Sequence, residues 1–138
     1  MNGADPHPVS WVSWLGDHTS TDVEQYSDAR EFLEVLHSLA VLGRGYAEVS
    51  RGHEPFPRVT VSVASGWGFV HLFPSANECH LLRGDGAVPE ENVIEVPVMG
   101  ERAIFSGEFA LPIGRAIDLV EAFVRGAPPS ELGTWAAL

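Results

Sequence analysis

The chain has 138 residues, of which 45% are hydrophobic and 20% charged, which is typical of one globular domain with one core rather than of a disordered segment. Nineteen acidic residues against eight basic ones give a net charge of -11 at pH 7. Nucleic acids and anionic membrane surfaces bind basic faces, so this charge argues against both as partners and favours a cationic partner. The single cysteine forms no internal disulfide, and neither a signal peptide nor a membrane-spanning apolar run is recognisable, so we expect a cytoplasmic protein.

The first predicted elements are a strand and a helix. Residues 1–8 hold one glycine and two prolines and predict a loose tail in front of a single domain, 9–138. The β-branched and aromatic residues of Val9–Leu15 predict a strand. Apolar residues at helical spacing and an acidic N-cap predict a helix over Asp28–Leu42. Gly43–Arg58, with three glycines and two prolines, is predicted to be a loop.

After this loop the spacing of apolar residues changes from the helical period to every second residue, which predicts a block of strands. In Val59–Ser65 this period places Val59, Val61 and Val63 on one face. The other candidate strands are Trp67–Phe73, Glu78–Gly84, Asn92–Val98 and Arg102–Phe109. Pro97 cannot donate a ladder hydrogen bond, so it predicts an edge position for its strand.

The end of the chain predicts a second helix that stops sharply. Pro112 suits the first turn of a helix, where its missing N–H would be unpaired in any residue. The apolar stripe of this helix consists of Ile113, Ala116, Ile117, Val120, Phe123 and Val124. Gly126 and Pro128 prevent continuation, and we expect Trp135 to close one end of the core on a short returning strand.

This order of elements predicts an α+β fold, with an antiparallel sheet of about five to six strands and two helices packed on one face. Strands joined by short turns in one block favour antiparallel pairing. There are no internal repeats and no linker, so a single domain is expected.

Catalytic patterns are missing from the sequence. Ala64–Gly68 lacks the Gly-x-Ser-x-Gly spacing of a nucleophile elbow, and Cys79 lies in the middle of a predicted strand, where a buried and inert thiol is expected. Glu90 and Glu91 are neighbours beside Pro89 in a predicted loop and not a pair of carboxylates facing each other across a cleft. The glycine-rich turns match neither a P-loop nor a dinucleotide fingerprint. We therefore expect no enzymatic activity, no cofactor and no metal.

The best metal-ligand pattern is a pair of histidines in the predicted hairpin. If Phe73 lies opposite Glu78, then His71 lies opposite His80, and His53 or Glu78 is the available third ligand. Two histidines without a fixed third ligand more often pack across strands or lie exposed at the surface than bind zinc. A metal-dependent enzyme using His71 and His80 therefore remains an alternative and is not the main expectation.

The last thirty residues resemble the end of a known family. In "GEFALPIGRAIDLVEAFVRGAPPSELGTW", the Leu-Pro step at Leu111, the amphipathic helix, the turn at Gly126 and Pro128, and Trp135 are similar to the pattern of the first-numbered immunity-protein family of bacterial polymorphic toxin systems. The helix ending at Leu42 and the Gly-aromatic strand after Gly66 also fit that pattern. The resemblance implies a cytoplasmic antidote that binds the toxic domain of a secreted toxin. Members of the family are associated with nucleic-acid deaminase toxins, including those similar to DNA cytosine deaminases, which are zinc enzymes with a nucleic-acid-binding cleft.

The charge of the chain is consistent with this function. A toxin that grips nucleic acid presents a basic face, and an inhibitor with a net charge of -11 would be steered towards it. The expected partner is therefore the basic, nucleic-acid-binding face of the cognate toxin domain.

Contact residues are expected among acidic side chains in predicted loops or at strand ends. These candidates are Glu54, Glu78, Asp85, Glu90, Glu91, Glu101 and Glu108. Trp67, between two glycines, is either an exposed aromatic anchor or a core residue of its strand. Besides the immunity protein and the metal enzyme, a regulatory or scaffold domain that binds an unrelated protein remains open.

Overall fold

The computed structural model describes residues 7–16, 21–99 and 101–138. In these ranges the elements follow in the order β1 (Pro8–Leu15), β2 (Thr21–Asp28), α1 (Ala29–Leu42), β3 (Gly45–Arg51), β4 (Arg58–Ala64), β5 (Trp67–Ser75), β6 (Glu78–Leu82), β7 (Val93–Val98), β8 (Glu101–Ser106), β9 (Leu111–Pro112), α2 (Ile113–Val124) and β10 (Trp135–Ala137). Most of the tail predicted over residues 1–8 lies outside the described ranges, and its last residue, Pro8, begins β1.

One large antiparallel sheet carries the fold. Seven strands lie in the order β10-β6-β5-β4-β3-β1-β2, and the short β9 adds to β5 as an eighth. Among the described residues, strands β7 and β8 pair only with each other, as a separate hairpin. The predicted α+β class is confirmed, with a larger sheet than the five to six strands expected.

Three strands in the described ranges lie where the sequence predicts none. One is the two-residue β9, whose Pro112 precedes α2 and does not lie in its first turn, and the other two are longer. Strand β2 has the sequence TDVEQYSD, which lacks the apolar alternation that predicts a strand. It is an edge strand that pairs only with β1 among the described elements. Strand β3 falls inside the predicted loop Gly43–Arg58. That loop prediction is wrong for residues 45–51, because Gly45 begins and Gly52 follows a strand whose Val49 is fully buried between β1 and β4.

The main core lies between the sheet and the two helices. Val59, Val61 and Val63 are fully buried and form one cluster with Phe32 and Leu36 of α1 and with residues of α2. Both helices therefore pack on the same face of the sheet, as predicted. Asp28 caps α1 by accepting hydrogen bonds from the backbone N–H groups of Arg30 and Glu31, and Gly43 ends the helix in the left-handed conformation.

The predicted apolar stripe of α2 is buried apart from the half-buried Ile113, and Leu119 is a further buried residue. The end of this helix is bound by a side chain from the sheet. Arg51 donates from Nε and Nη2 to the carbonyl of Phe123, and from Nη2 to the carbonyl of Ala127 at 2.6 Å. Its guanidinium carbon also lies 4.1 Å from the centre of the Phe123 ring. The Phe123 carbonyl also accepts from the backbone N–H of Gly126 at 3.0 Å, so the guanidinium adds to the bonds of the last helical turn and binds the Ala127 carbonyl just beyond it.

The other face of the sheet is partly covered by the β7–β8 hairpin. A second cluster contains Ala64, Phe69 and Leu81 from the sheet, Val96 from β7, and Ala110. Alternate residues of a strand point to opposite faces, so Ser62 and Ala64 lie under the hairpin while Val61 and Val63 lie under the helices. Pro97 is in an edge strand, as predicted, but of the hairpin and not of the main sheet.

The end of the chain returns along the sheet. Trp135 pairs with Leu82 in β10–β6, and its indole Nε1 donates to the carbonyl of Pro129 at 2.9 Å. It is half-buried against the main core, which agrees with the predicted closing role. Neither helix in the described ranges is long and apolar enough to cross a membrane.

Candidate protein-binding surface

The predicted contact residues lie in three places. Those at the end of the sheet where β5 begins and β6 ends are Trp67, Asp85, Glu90, Glu91 and Glu108. At the opposite end lie Glu54, in the β3–β4 loop, and Glu78, at the start of β6. Glu101 begins β8, beside the hairpin turn. The structure therefore brings five of the eight candidates to one end of the sheet and separates the other three from them.

The segment Gly84–Asn92, here called the acidic loop, connects β6 to the hairpin. Its sequence, GDGAVPEEN, holds three carboxylates and no basic residue. The backbone N–H of Gly84 donates to the carbonyl of Glu108 at 2.8 Å, and that of Gly107 donates to the carbonyl of Asn92 at 2.7 Å. The Ser106 hydroxyl donates to the carbonyl of Glu90 at 2.6 Å. Both ends of the loop are therefore fixed to the turn that follows β8.

Gly107 allows this close approach. A Cβ atom at this position would collide with the carbonyl oxygen of Pro89 and with the side chain of Val88. A glycine is needed here for lack of space, and it holds the acidic loop in one position against the body of the protein.

Trp67 forms one wall of a surface cavity beside this loop. The cavity has a volume of about 630 Å³, and its lining includes Trp67, Val88, Glu91, Asn92 and Ile94. The half-buried Trp67 also packs against the second core cluster. The indole therefore contacts the core and also lines an open cavity, and its role as a binding anchor stays a prediction.

The acidic side chains differ in whether a cation already neutralises them. Glu108 accepts from Arg83 Nη1 at 2.6 Å. Asp85 accepts from the backbone N–H of Ala87 at 3.0 Å. Glu90 and Glu91 are exposed, and neither forms an ion pair with any residue in the described part of the chain. Glu54, Asp85 and Glu101 are likewise exposed and without an ion pair in the described ranges, so Glu90 and Glu91 are two of the three acidic-loop carboxylates whose charge is available to a partner.

Part of this surface is apolar and does not appear among the contact residues predicted from the sequence. Val93 and Ile104 are 67% and 63% exposed on the outer face of the hairpin, and Val93 also lines the cavity. The signal was available, because Ile94 and Val96 occupy the inward phase of the same strand, which leaves Val93 outside. A carboxylate pair, an indole and exposed aliphatic side chains therefore lie side by side, as in binding surfaces with a mixed apolar and polar character.

The histidine pair does not form. His71 lies opposite Leu81 and Leu72 lies opposite His80, with an irregularity in the ladder before Ser75 and Glu78 pair. The predicted register is wrong by one residue, and a one-residue change places His71 and His80 on opposite faces of the sheet. In the ranges that the structure describes, no three His, Cys, Asp or Glu side chains are arranged to hold a metal ion. The metal-enzyme alternative therefore loses its ligand pair.

His71 and Cys79 have environments that disfavour their charged forms. His71 is buried with its ring 5.1 Å from the ring of Phe105, and desolvation lowers its pKa to about 4. Burial raises the pKa of the Cys79 thiol, so this side chain stays protonated at neutral pH.

A cluster of polar side chains lies on the face of the sheet that carries the β7–β8 hairpin, over β1 to β4. Arg58 donates from Nε to Glu48 at 2.6 Å and pairs through Nη2 with Glu24 at 2.9 Å. Tyr46 donates to the other Glu48 oxygen at 2.6 Å, and burial, followed by the Glu48 charge, raises the pKa of this phenol. The hydrogen bonds of Arg58 and Glu48 are made within the protein, which favours a structural role.

Comparison of the chain with protein-family models, with curated proteins and with solved structures finds no match.

Proposed function

We propose that this protein is an immunity protein that binds and blocks the active-site domain of a cognate secreted toxin of the nucleic-acid deaminase class. It acts in the cytoplasm, by stoichiometric binding and without turnover. The observation that carries the proposal is the acidic loop, where the unpaired Glu90 and Glu91 lie beside the cavity formed by Trp67. The resemblance of the segment from Leu111 to Trp135 to immunity proteins supports the choice of partner.

The physical basis is complementarity of charge and shape. A domain that binds nucleic acid presents Lys and Arg to the phosphates, and a chain with a net charge of -11 is attracted to that face. Charge raises the association rate by roughly 10- to 1,000-fold, but affinity requires buried anchors as well. Trp67 and Val93 supply apolar area next to the free carboxylates, so rate and affinity arise from one surface.

The proposal expects a toxin domain to be encoded in the adjacent reading frame, and the test is a titration of that domain. Deamination of a labelled DNA substrate should fall linearly with added protein and reach zero at about a 1:1 ratio, since each bound copy covers one active site over roughly 1,600 Å². Full deaminase activity at a tenfold excess, together with separate elution of the two proteins, would reject the pairing. Inhibition at far below one equivalent would reject stoichiometric binding.

A further inference from the structure

We infer that the cavity beside Trp67 is a receptor for one arginine side chain of a basic partner. The inference rests on the proposed function, because it states which group of the toxin face the acidic loop recognises. The cavity is open to solvent, and its volume of about 630 Å³ is enough for one side chain together with part of its neighbours.

The lining matches the two properties of a guanidinium group. Trp67 offers an aromatic surface for a planar cation, and Val88 and Ile94 offer apolar contact for the aliphatic stem. The unpaired Glu91 carboxylate at the same cavity provides two oxygens for a bidentate hydrogen bond, and Asn92 adds an amide. An ammonium group is a point charge that lacks the planar fork, so arginine fits this set better than lysine.

The adjacent part of the protein already contains this type of contact. Arg83 donates to the Glu108 carboxylate at 2.6 Å, and its guanidinium carbon lies 6.0 Å from the centre of the Phe109 ring. At the cavity the carboxylate and the aromatic ring are present, and the lining contains no arginine or lysine. The charge of Glu90 and Glu91 also disfavours an anionic occupant.

The experiment uses the full chain and N-acetyl-arginine amide as the probe, with the indole N–H signal of Trp67 followed by NMR and assigned through Trp67→Phe. We expect a saturable shift at millimolar probe concentrations. N-acetyl-citrulline amide, which has nearly the same shape without the charge, should bind about tenfold more weakly. Glu91→Gln should weaken arginine binding several-fold, and the matched control Glu34→Gln, on the helix side of the sheet, should leave it unchanged.

Each outcome decides the inference. An equal shift with citrulline amide, an unsaturable shift, or an unchanged affinity in Glu91→Gln overturns it. Arginine binding without inhibition of the toxin would leave the cavity assignment standing and reject the proposed function. Toxin inhibition without arginine binding would do the reverse, so the two failures are distinguishable.

Discussion

Among the acidic side chains, the property relevant to binding is whether a cation is already in contact. Glu108 and Glu91 lie at the same end of the sheet, yet Arg83 neutralises the first and nothing in the described chain pairs with the second. The sequence predicts both as contact residues equally well, because an ion pair between Arg83 and Glu108 depends on the path of the acidic loop. The local sequence does not show how the loop runs. It therefore predicts which acidic side chains are candidates, but not which of them already has a cationic partner.

His71 gives a prediction at this scale, because its environment favours the neutral imidazole. The unfolded chain takes up a proton near pH 6.5, whereas the buried ring does so only near a pKa of about 4. The stability that comes from keeping His71 neutral is therefore present above pH 6.5 and is lost as the pH falls towards 4, at up to about 1.4 kcal/mol per pH unit. His71→Leu should flatten this decline relative to the parent protein.

The measurement is the free energy of unfolding in urea at pH 7.5, 5.5 and 4.5, with the exposed His37→Gln as the control. Parallel pH profiles for the parent and His71→Leu would contradict the account. If the leucine variant fails to fold, NMR titration of the His71 ring in the parent protein decides instead, since a midpoint near 6.5 would also contradict it.

Among the elements, the helices and the central strands follow from local patterns, and the sheet edges do not. The stripe of α2 and the cap of α1 depend on residues a few positions apart, which a sequence shows directly. β2 carries mostly polar side chains at an edge, and β3 begins at one glycine and is followed by another, so neither shows a period of two along its whole length. The register between β5 and β6 depends on the irregularity between Leu72 and Ser75, and composition does not predict that irregularity.

Arg51 gives a prediction about how the sheet stabilises the end of α2. Its guanidinium donates to the Phe123 carbonyl in the last turn and to the Ala127 carbonyl just beyond the helix, and it lies over the Phe123 ring. Arg51→Gln should therefore lower the free energy of unfolding by about 2 kcal/mol. The matched control is Arg125→Gln, because Arg125 is exposed and makes only a surface i,i+4 pair with Glu121, worth at most about 0.5 kcal/mol.

Urea denaturation of both variants checks this prediction, and hydrogen exchange should show faster opening of the last turn of α2 in Arg51→Gln alone. Equal losses of stability in the two variants would show that the contacts of Arg51 with the helix end add nothing beyond a surface ion pair.

For the whole molecule, the fold places its helices on one face of the sheet and the β7–β8 hairpin on the other. The acidic loop lies at the end of the sheet, where Gly84 and Asp85 share a cavity lining with Arg115 and Leu119 of α2. The main core lies between the sheet and the helices, and the second cluster anchors the hairpin on the other face. The predicted class of fold follows from the order of elements, which the sequence shows. The β7–β8 hairpin is separate from the main sheet because Val96 packs on Ala64 and Phe69, which are distant in the sequence. The existence of a separate surface could therefore not be predicted.

The association rate with the toxin domain tests the central claim most directly, in a comparison of two variants that each lose two negative charges. Glu90→Gln/Glu91→Gln removes the free carboxylates of the acidic loop, and Glu34→Gln/Asp118→Asn removes exposed carboxylates from the helices. At low salt, the loop variant should associate on the order of tenfold more slowly than the helix variant, and the difference should vanish near 1 M salt, where charges are screened beyond about 3 Å. Equal rates for the two variants at low salt would contradict the account.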